Sequence, residues 1–255
     1  MNPPAATERI RLTVAYNGTP FDGWQSQATA NGVQDHIEAA FLAVAGIRLR
    51  IHGSGRTDAG VHATGQIAHV DLPRGKLAPA TWMAALNANL PDGIRITRAS
   101  RVRGGEDGFH ARFSAKGKRY IYRLWNATCM HPLEIGRAWY VPRTLDLALL
   151  RAAAAKLVGR HDFARFTANR ARKETSTVRT IHRIGVQSRG PLITLTFEGD
   201  GFLYKMVRLL TGTIIRIAEK RAPVSFITDL LDPRVKARTH FMGVAGGLYL
   251  SRVFY

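Results

Sequence analysis

The chain has 255 residues, 45% of them hydrophobic, enough for one large domain or two packed halves. Its 37 Lys and Arg against 18 Asp and Glu leave a formal charge of +19, an excess that opposes compaction and points to a polyanionic partner. No stretch approaches the roughly eighteen continuous apolar residues of a spanning helix, the single Cys129 excludes an internal disulfide, and residues 1–8 lack the charged and apolar regions of a secretory signal. A cytoplasmic protein is expected.

In chain order, Ile10, Leu12, Val14 and Tyr16 alternate, which predicts a strand over Arg9–Tyr16. Val33, Ile37, Phe41 and Val44 recur at helical spacing up to a stop at Gly46. Ile47, Leu49 and Ile51 alternate with Arg48, Arg50 and His52 and predict a second strand, and Gln66–Leu72 a third. Pro79 suits the first turn of a helix reaching Asn89, and Ile94 and Ile96 mark a fourth strand.

The order then recurs. A strand is predicted over Arg119–Asn126, with Tyr120, Tyr122 and Leu124 on one face, then an Ala- and Leu-rich helix over Leu145–Val158 closed by Gly159. Val178–Ser188 and Leu192–Phe197 read as a hairpin. Helices over Phe202–Glu219 and Ser225–Leu231 and a strand over Gly247–Phe254 complete the chain. The fold class is therefore α+β, two β-α-β-β-α-β halves around a mixed, mainly antiparallel sheet. The glycine-rich turn Gly104–Gly108 gives the join, with an N-terminal half over 1–104 and a C-terminal half over 105–255.

The segment Gly53-Ser54-Gly55-Arg56-Thr57-Asp58-Ala59-Gly60-Val61-His62 places three glycines close around one carboxylate. Such a loop can adopt positive φ and let a ligand approach the backbone. Taken alone, an Asp in this setting is a nucleophile, a base, or a turn former capping a backbone N–H, and the last is the commonest. The wording of the loop resembles the catalytic loop of the TruA family of tRNA pseudouridine synthases, in which the Asp is essential.

Further landmarks carry the resemblance from about residue 10 to residue 250. They are Tyr16-Asn17-Gly18, Gly23-Trp24-Gln25-Ser26-Gln27, Val33-Gln34-Asp35, Leu86–Pro91, Phe109–Ala115, Lys118–Tyr122, Gly201-Phe202-Leu203 with Met206-Val207-Arg208, and Gly247–Leu250. The chain departs from the family at Asp200, where Asn is usual, and at Lys205, a position often held by His or Asn. The resemblance implies the pseudouridine synthase fold, tRNA as substrate with the anticodon stem-loop (positions 38–40) as target, a homodimer, and no cofactor.

Making pseudouridine breaks the uracil–ribose bond, turns the base and rejoins it through carbon. A carboxylate can act as nucleophile there without a cofactor, and the resemblance assigns that role to Asp58. Attack on the ribose carbon, attack on the uracil ring and abstraction of a ribose proton all fit the sequence. From periodicity alone, Arg208 lies with Lys205 and Gly212 on a solvated helix side. The resemblance makes it instead the active-site arginine, whose planar fork would keep Asp58 ionised. Tyr120 is a core aromatic by pattern. By resemblance it is the substrate tyrosine, stacking on a uracil taken out of its helix. Arg56 would contact a phosphate or hold the flipped backbone open.

Two basic runs complete the reading. Arg112, Lys116, Lys118, Arg119 and Arg123 lie in one span without an acid. Arg165, Arg170, Arg172, Lys173, Arg179 and Arg183 share another with Glu174 alone. On a chain already at +19 these predict a phosphate-tracking surface in which Lys118, Arg119, Arg170, Arg172, Lys173 and Lys205 contact RNA. No metal-ligand spacing, phosphate loop or dinucleotide fingerprint is present, so neither a metal nor another cofactor is implied. A non-catalytic RNA-binding or ribosome-associated protein accounts equally for charge and aromatics, but not for an Asp and an Arg set in family-matching motifs. An Asp-dependent hydrolase of nucleic acid would need a second carboxylate or a metal site.

Overall fold

Alternation in the first strand is a burial pattern: Ile10, Leu12 and Val14 are fully buried in β1, Thr7–Tyr16, and their neighbours are not. The computed structural model describes residues 7–75, 77–168 and 176–255. They form two compact units, one ending at Lys116 but completed by Leu250–Tyr255, the other Gly117–Tyr249.

In the first unit β1 is followed by α1 (Val33–Ala45), β2 (His52–Gly53), β3 (His62–Pro73), α2 (Pro79–Asn89) and β4 (Ile94–Val102). Strand β1 pairs antiparallel with both β3 and β4. The closing strand β10, Leu248–Phe254, lies beside β3, so the order here is β4-β1-β3-β10, with β2 paired to β3. Phe41 of α1 and Trp82 of α2, both buried, meet at 5.7 Å between ring centroids. The Gly104–Gly108 turn belongs to this unit and is closed by the Gly108 N–H on the Gly105 carbonyl.

The predicted strand over 47–52 is a correction, for only His52–Gly53 pairs. Ile51 is buried as its alternation requires, but its backbone is engaged by helix side chains. The N–H donates to Glu38 Oε1 at 3.0 Å, and the carbonyl accepts from Gln34 Nε2 at 3.5 Å. Side-chain partners replace a strand ladder there.

The second unit contains β5 (Gly117–Trp125), β6 (Trp139–Tyr140), α3 (Leu147–Lys156), β7 (Gly159–Asp162), β8 (Val178–Arg189), β9 (Leu192–Gly199), α4 (Met206–Ala218) and α5 (Ser225–Leu231). Its order is β5-β9-β8-β7, with antiparallel registers and β6 parallel on β5. The strand pairing is thus mixed and mainly antiparallel, and the chain order is β-α-β-β-α-β twice, with β6, β7 and α5 added in the second pass.

Helix α3 starts where Asp146 accepts the Ala148 and Leu149 N–H groups at its N-cap. Helix α4 begins at Met206 rather than Phe202. Lys205 sits in the left-handed region at φ 59°, a conformation no helix interior tolerates.

Candidate active site

The Asp58 loop leaves β2 and returns into β3, pinned at almost every residue. Ser54 N–H donates to the Ile67 carbonyl at 2.7 Å and its hydroxyl to Gln66 Oε1 at 2.7 Å, while Gln66 Nε2 donates to the Gly55 carbonyl at 2.9 Å. Gln66 is fully buried. The Thr57 hydroxyl shares a 2.8 Å hydrogen bond with Tyr16, whose phenol burial pushes up, keeping it neutral. The Val61 N–H donates to the Asp58 carbonyl at 3.1 Å, turning the chain directly after the carboxylate. His62 is buried, and its Nδ1 accepts the Gly18 N–H at 3.1 Å.

Gly23 shows why this loop tolerates no ordinary residue beside it. Its φ is 93°, and a Cβ there would lie 2.5 Å from the Thr57 carbonyl oxygen and 3.0 Å from the Asp58 carbonyl carbon. With Trp24 donating its N–H to that Thr57 oxygen, the 23–27 landmark is the cradle of the loop. The Asp58 side chain is half-buried on this support.

Arg56 is exposed but aimed. Its Nε donates to Gln25 Oε1 at 3.1 Å, Gln25 Nε2 to Gln34 Oε1 at 2.8 Å, and Gln34 Nε2 to Glu38 Oε1 at 2.8 Å. Gln34 is almost fully buried. The compensating carboxylate lies two amides away, so the guanidinium is oriented without a direct ion pair to this acid. Gln25 and Gln34 lie in landmark motifs, but the sequence alone gives neither a role. A buried Gln on an apolar helix face, as Gln34 is beside Val33 and Ile37, is the signal that exposes such a network.

In the second unit Tyr120 lies opposite Phe197 on β5, only 9% exposed, with Phe202 packed edge-on at 5.2 Å and 83°. Two residues on, the buried Tyr122 donates its hydroxyl to the Val244 carbonyl at 2.5 Å. Burial raises that phenol's pKa, opposed by the charge of Arg208.

Arg208 is not on a solvated face. Every residue of α4 is buried except Arg208 and Arg216, which are half-buried. Arg208 Nε donates to the Gly243 carbonyl at 2.9 Å, and the Gly243 N–H donates back to the Arg208 carbonyl at 3.0 Å. Arg216 lies 3.9 Å from the centroid of the Phe241 ring. The segment 241–244 is therefore a strap that grips both arginines. Gly243 is required where the strap crosses Tyr122, because a Cβ would stand 2.4 Å from the phenol oxygen. Gly212, read as part of the polar side, is buried with its Cα turned to the Phe241 carbonyl. Lys205 precedes the helix and lies 5.0 Å from the centre of the Tyr204 ring. Asp200 accepts the Thr180 N–H at 3.0 and 3.1 Å, tying the turn after β9 to β8.

The basic runs divide. Lys118 is half-buried, whereas Arg112 and Lys116 are exposed. Arg119 pairs with Glu198 at 2.9 Å and Arg123 with both oxygens of Glu134 at 2.6 and 2.7 Å. Arg165 donates to the carbonyls of Asp229, Leu230, Asp232, Pro233 and Val235 and holds the end of α5. Arg165 is thus a structural residue rather than a phosphate contact. Arg170, Arg172 and Lys173 lie outside the described residues. Among the described residues no group of three or more His, Cys, Asp or Glu is placed to hold a metal ion, and no helix is long and apolar enough to cross a membrane.

The family model described as tRNA pseudouridine synthase matches residues 12–114 and 153–255. Proteins named tRNA pseudouridine synthase A resemble the chain over nearly its whole length. The protein from Akkermansia muciniphila is 44% identical, covering 97% of this chain and 95% of that one. Those from a Bradyrhizobium species and from Caulobacter vibrioides are 39% and 41% identical, each covering 97% of this chain and 99% and 98% of theirs. The two matched segments contain both the cradled Asp58 and the strapped Arg208, and the chain belongs to the tRNA pseudouridine synthase family.

Proposed function

We propose that this protein isomerises uridine to pseudouridine in the anticodon stem-loop of tRNA, at positions 38–40, acting in the cytoplasm as a homodimer and without a cofactor. The observation that carries the reading is the near-complete family match together with a carboxylate, Asp58, mounted on a loop whose backbone is fixed by Trp24 and Gln66 and whose Thr57 side chain is held by Tyr16. A nucleophile so held loses little orientational freedom on reaching its target. In this reading the N-terminal half supplies Asp58 as nucleophile and Arg56 as a contact to the displaced strand. The C-terminal half supplies Tyr120 to stack on the uracil and Arg208 to keep the carboxylate ionised. Lys118, Arg119, Arg170, Arg172, Lys173 and Lys205 are proposed to meet the RNA backbone.

The test is release of tritium from uracil C5 in labelled tRNA, since that hydrogen leaves only when the base is rejoined through C5. Asp58→Asn should lower the rate by at least about three orders of magnitude, on the order of 4 kcal/mol of transition-state stabilisation. Its thermal midpoint and tRNA affinity should match the parent protein. A folded Asp58→Asn variant that still releases tritium at a comparable rate removes Asp58 from catalysis. A parent protein that binds tRNA without releasing tritium is an RNA-binding protein rather than an enzyme.

A further inference from the structure

The most exposed large apolar residue among those described is Phe113, at 77%. It does not dangle. Its N–H donates to His110 Nδ1 at 3.3 Å, as does that of Arg112 at 3.1 Å. The Ser114 N–H donates to the His110 carbonyl and the Ser114 hydroxyl accepts the His110 N–H, both at 2.9 Å, locking residues 110–114 into one turn. The Phe113 ring lies over the His110 ring at 4.4 Å and 31°.

Behind it runs a column of rings. His110 packs on the buried His69 at 4.6 Å, His69 on Phe109 at 6.3 Å, and Phe109 on Tyr255 at 4.8 Å. Tyr255 in turn donates its hydroxyl to the Ala111 carbonyl at 2.7 Å, closing the column onto the turn it supports. Holding a phenylalanine outward on such a base forgoes the benefit of burying it, so the ring is displayed rather than left over. Charge around it has one dominant sign. The Arg112 guanidinium sits 5.7 Å from the Phe113 centroid, and Lys116 is exposed three residues on. A cavity beside the ring is lined by Arg9, His110 and Ser114, with Glu106 the one acid in its wall. Arg9 is paired with Asp71.

We propose that Phe113, flanked by Arg112, is a stacking platform for an unpaired base of the RNA substrate, outside the pocket in which the target uridine reacts. This rests on the reading of the protein as a tRNA-modifying enzyme and adds a contact to it. An aromatic face with a neighbouring guanidinium takes any base, because every base has a π-face, while the arginine engages the adjoining phosphate.

The experiment measures affinity of the full-length protein for unmodified tRNA across a salt series, for the parent, Phe113→Ala and Phe113→Trp. Loss of one stacked base should raise Kd about tenfold or more in Phe113→Ala. The slope of log K against log[salt] should stay the same, because no phosphate contact is lost. Phe113→Trp should restore affinity, and its added emission should be quenched when tRNA binds. Unchanged tRNA affinity in Phe113→Ala overturns the proposal. So does a variant whose only defect is weaker self-association, which would make Phe113 a contact between protein copies. A parent protein with no measurable affinity for tRNA refutes the underlying reading as well, whereas normal parent binding with an indifferent Phe113→Ala refutes the platform alone.

Discussion

Arg208 is held to the strap through one of its nitrogens. Its Nε is committed to the Gly243 carbonyl, which fixes the plane of the guanidinium and leaves the direction of the two terminal nitrogens set by the strap. A lysine has three N–H donors on one nitrogen but no rigid plane, so it could reach the Gly243 carbonyl without fixing the bidentate fork that the role proposed for Arg208 needs. Arg208→Lys should therefore cut kcat for tritium release by about a hundredfold or more, with tRNA affinity changed less than about threefold. Near-normal kcat would make Arg208 a strut for the strap and nothing more. Arg208 stands out as a candidate from the motif Met206-Val207-Arg208. What holds it does not, since its partner Gly243 is 35 residues away and nothing local links the two. The same is true of Asp58, whose loop stands out in sequence while its cradle at Gly23 is known only from the contact.

At the scale of elements, His69 of β3 and His110 in the turn packed on it resist protonation. Burial lowers the pKa of His69 to about 4, helped by the charges of Arg9, His110 and His52 and opposed by Asp71. His110 is lowered as well, by burial first and then by His52, Arg9 and Arg112. The Nδ1 of each already accepts backbone N–H groups, so a proton there breaks bonds as well as adding charge. The unfolded chain takes up the His69 proton near pH 6.5 and the fold refuses it until about 4. Stability should therefore fall as pH drops through that window, by at most about 1.4 kcal/mol per pH unit for one proton. Urea unfolding of His69→Gln should give a shallower dependence between pH 6.5 and 4 than the parent, and parallel curves would rule the residue out as the source. Element types were readable because apolar spacing follows burial, as in β1 and α1. Boundaries failed where another force took over. Phe202 and Leu203 continue the helical spacing, but Lys205 breaks the backbone, and Ile51 alternates correctly while bonding to Glu38 and Gln34.

For the whole molecule, a charge of +19 overstates the cation surface presented to RNA. Arg123 faces a carboxylate, and Arg165 is folded around five carbonyls. Two kinds of basic residue should consequently separate in experiment. Arg165→Gln should lower the melting temperature by several degrees, since it leaves the end of α5 unheld, and keep the salt slope of tRNA binding. Reversing Arg172 and Lys173 to Glu should weaken binding and flatten the slope by about two phosphate contacts, with the melting temperature unchanged. A salt slope near zero in the parent protein would mean that the charge serves something other than RNA. The route of the chain carries one more consequence. The first unit receives its last strand, from Leu250 on, only after Gly117–Tyr249 has been made. At roughly 5–20 residues per second the ribosome takes on the order of ten seconds over that stretch. Throughout it β3 waits without β10 beside it, Lys116 without the Phe254 carbonyl, and the ring column without Tyr255. Asp58 is among the early residues to leave the ribosome, yet the sheet behind its loop is finished among the last, so a nascent chain carries the loop well before it carries a completed scaffold.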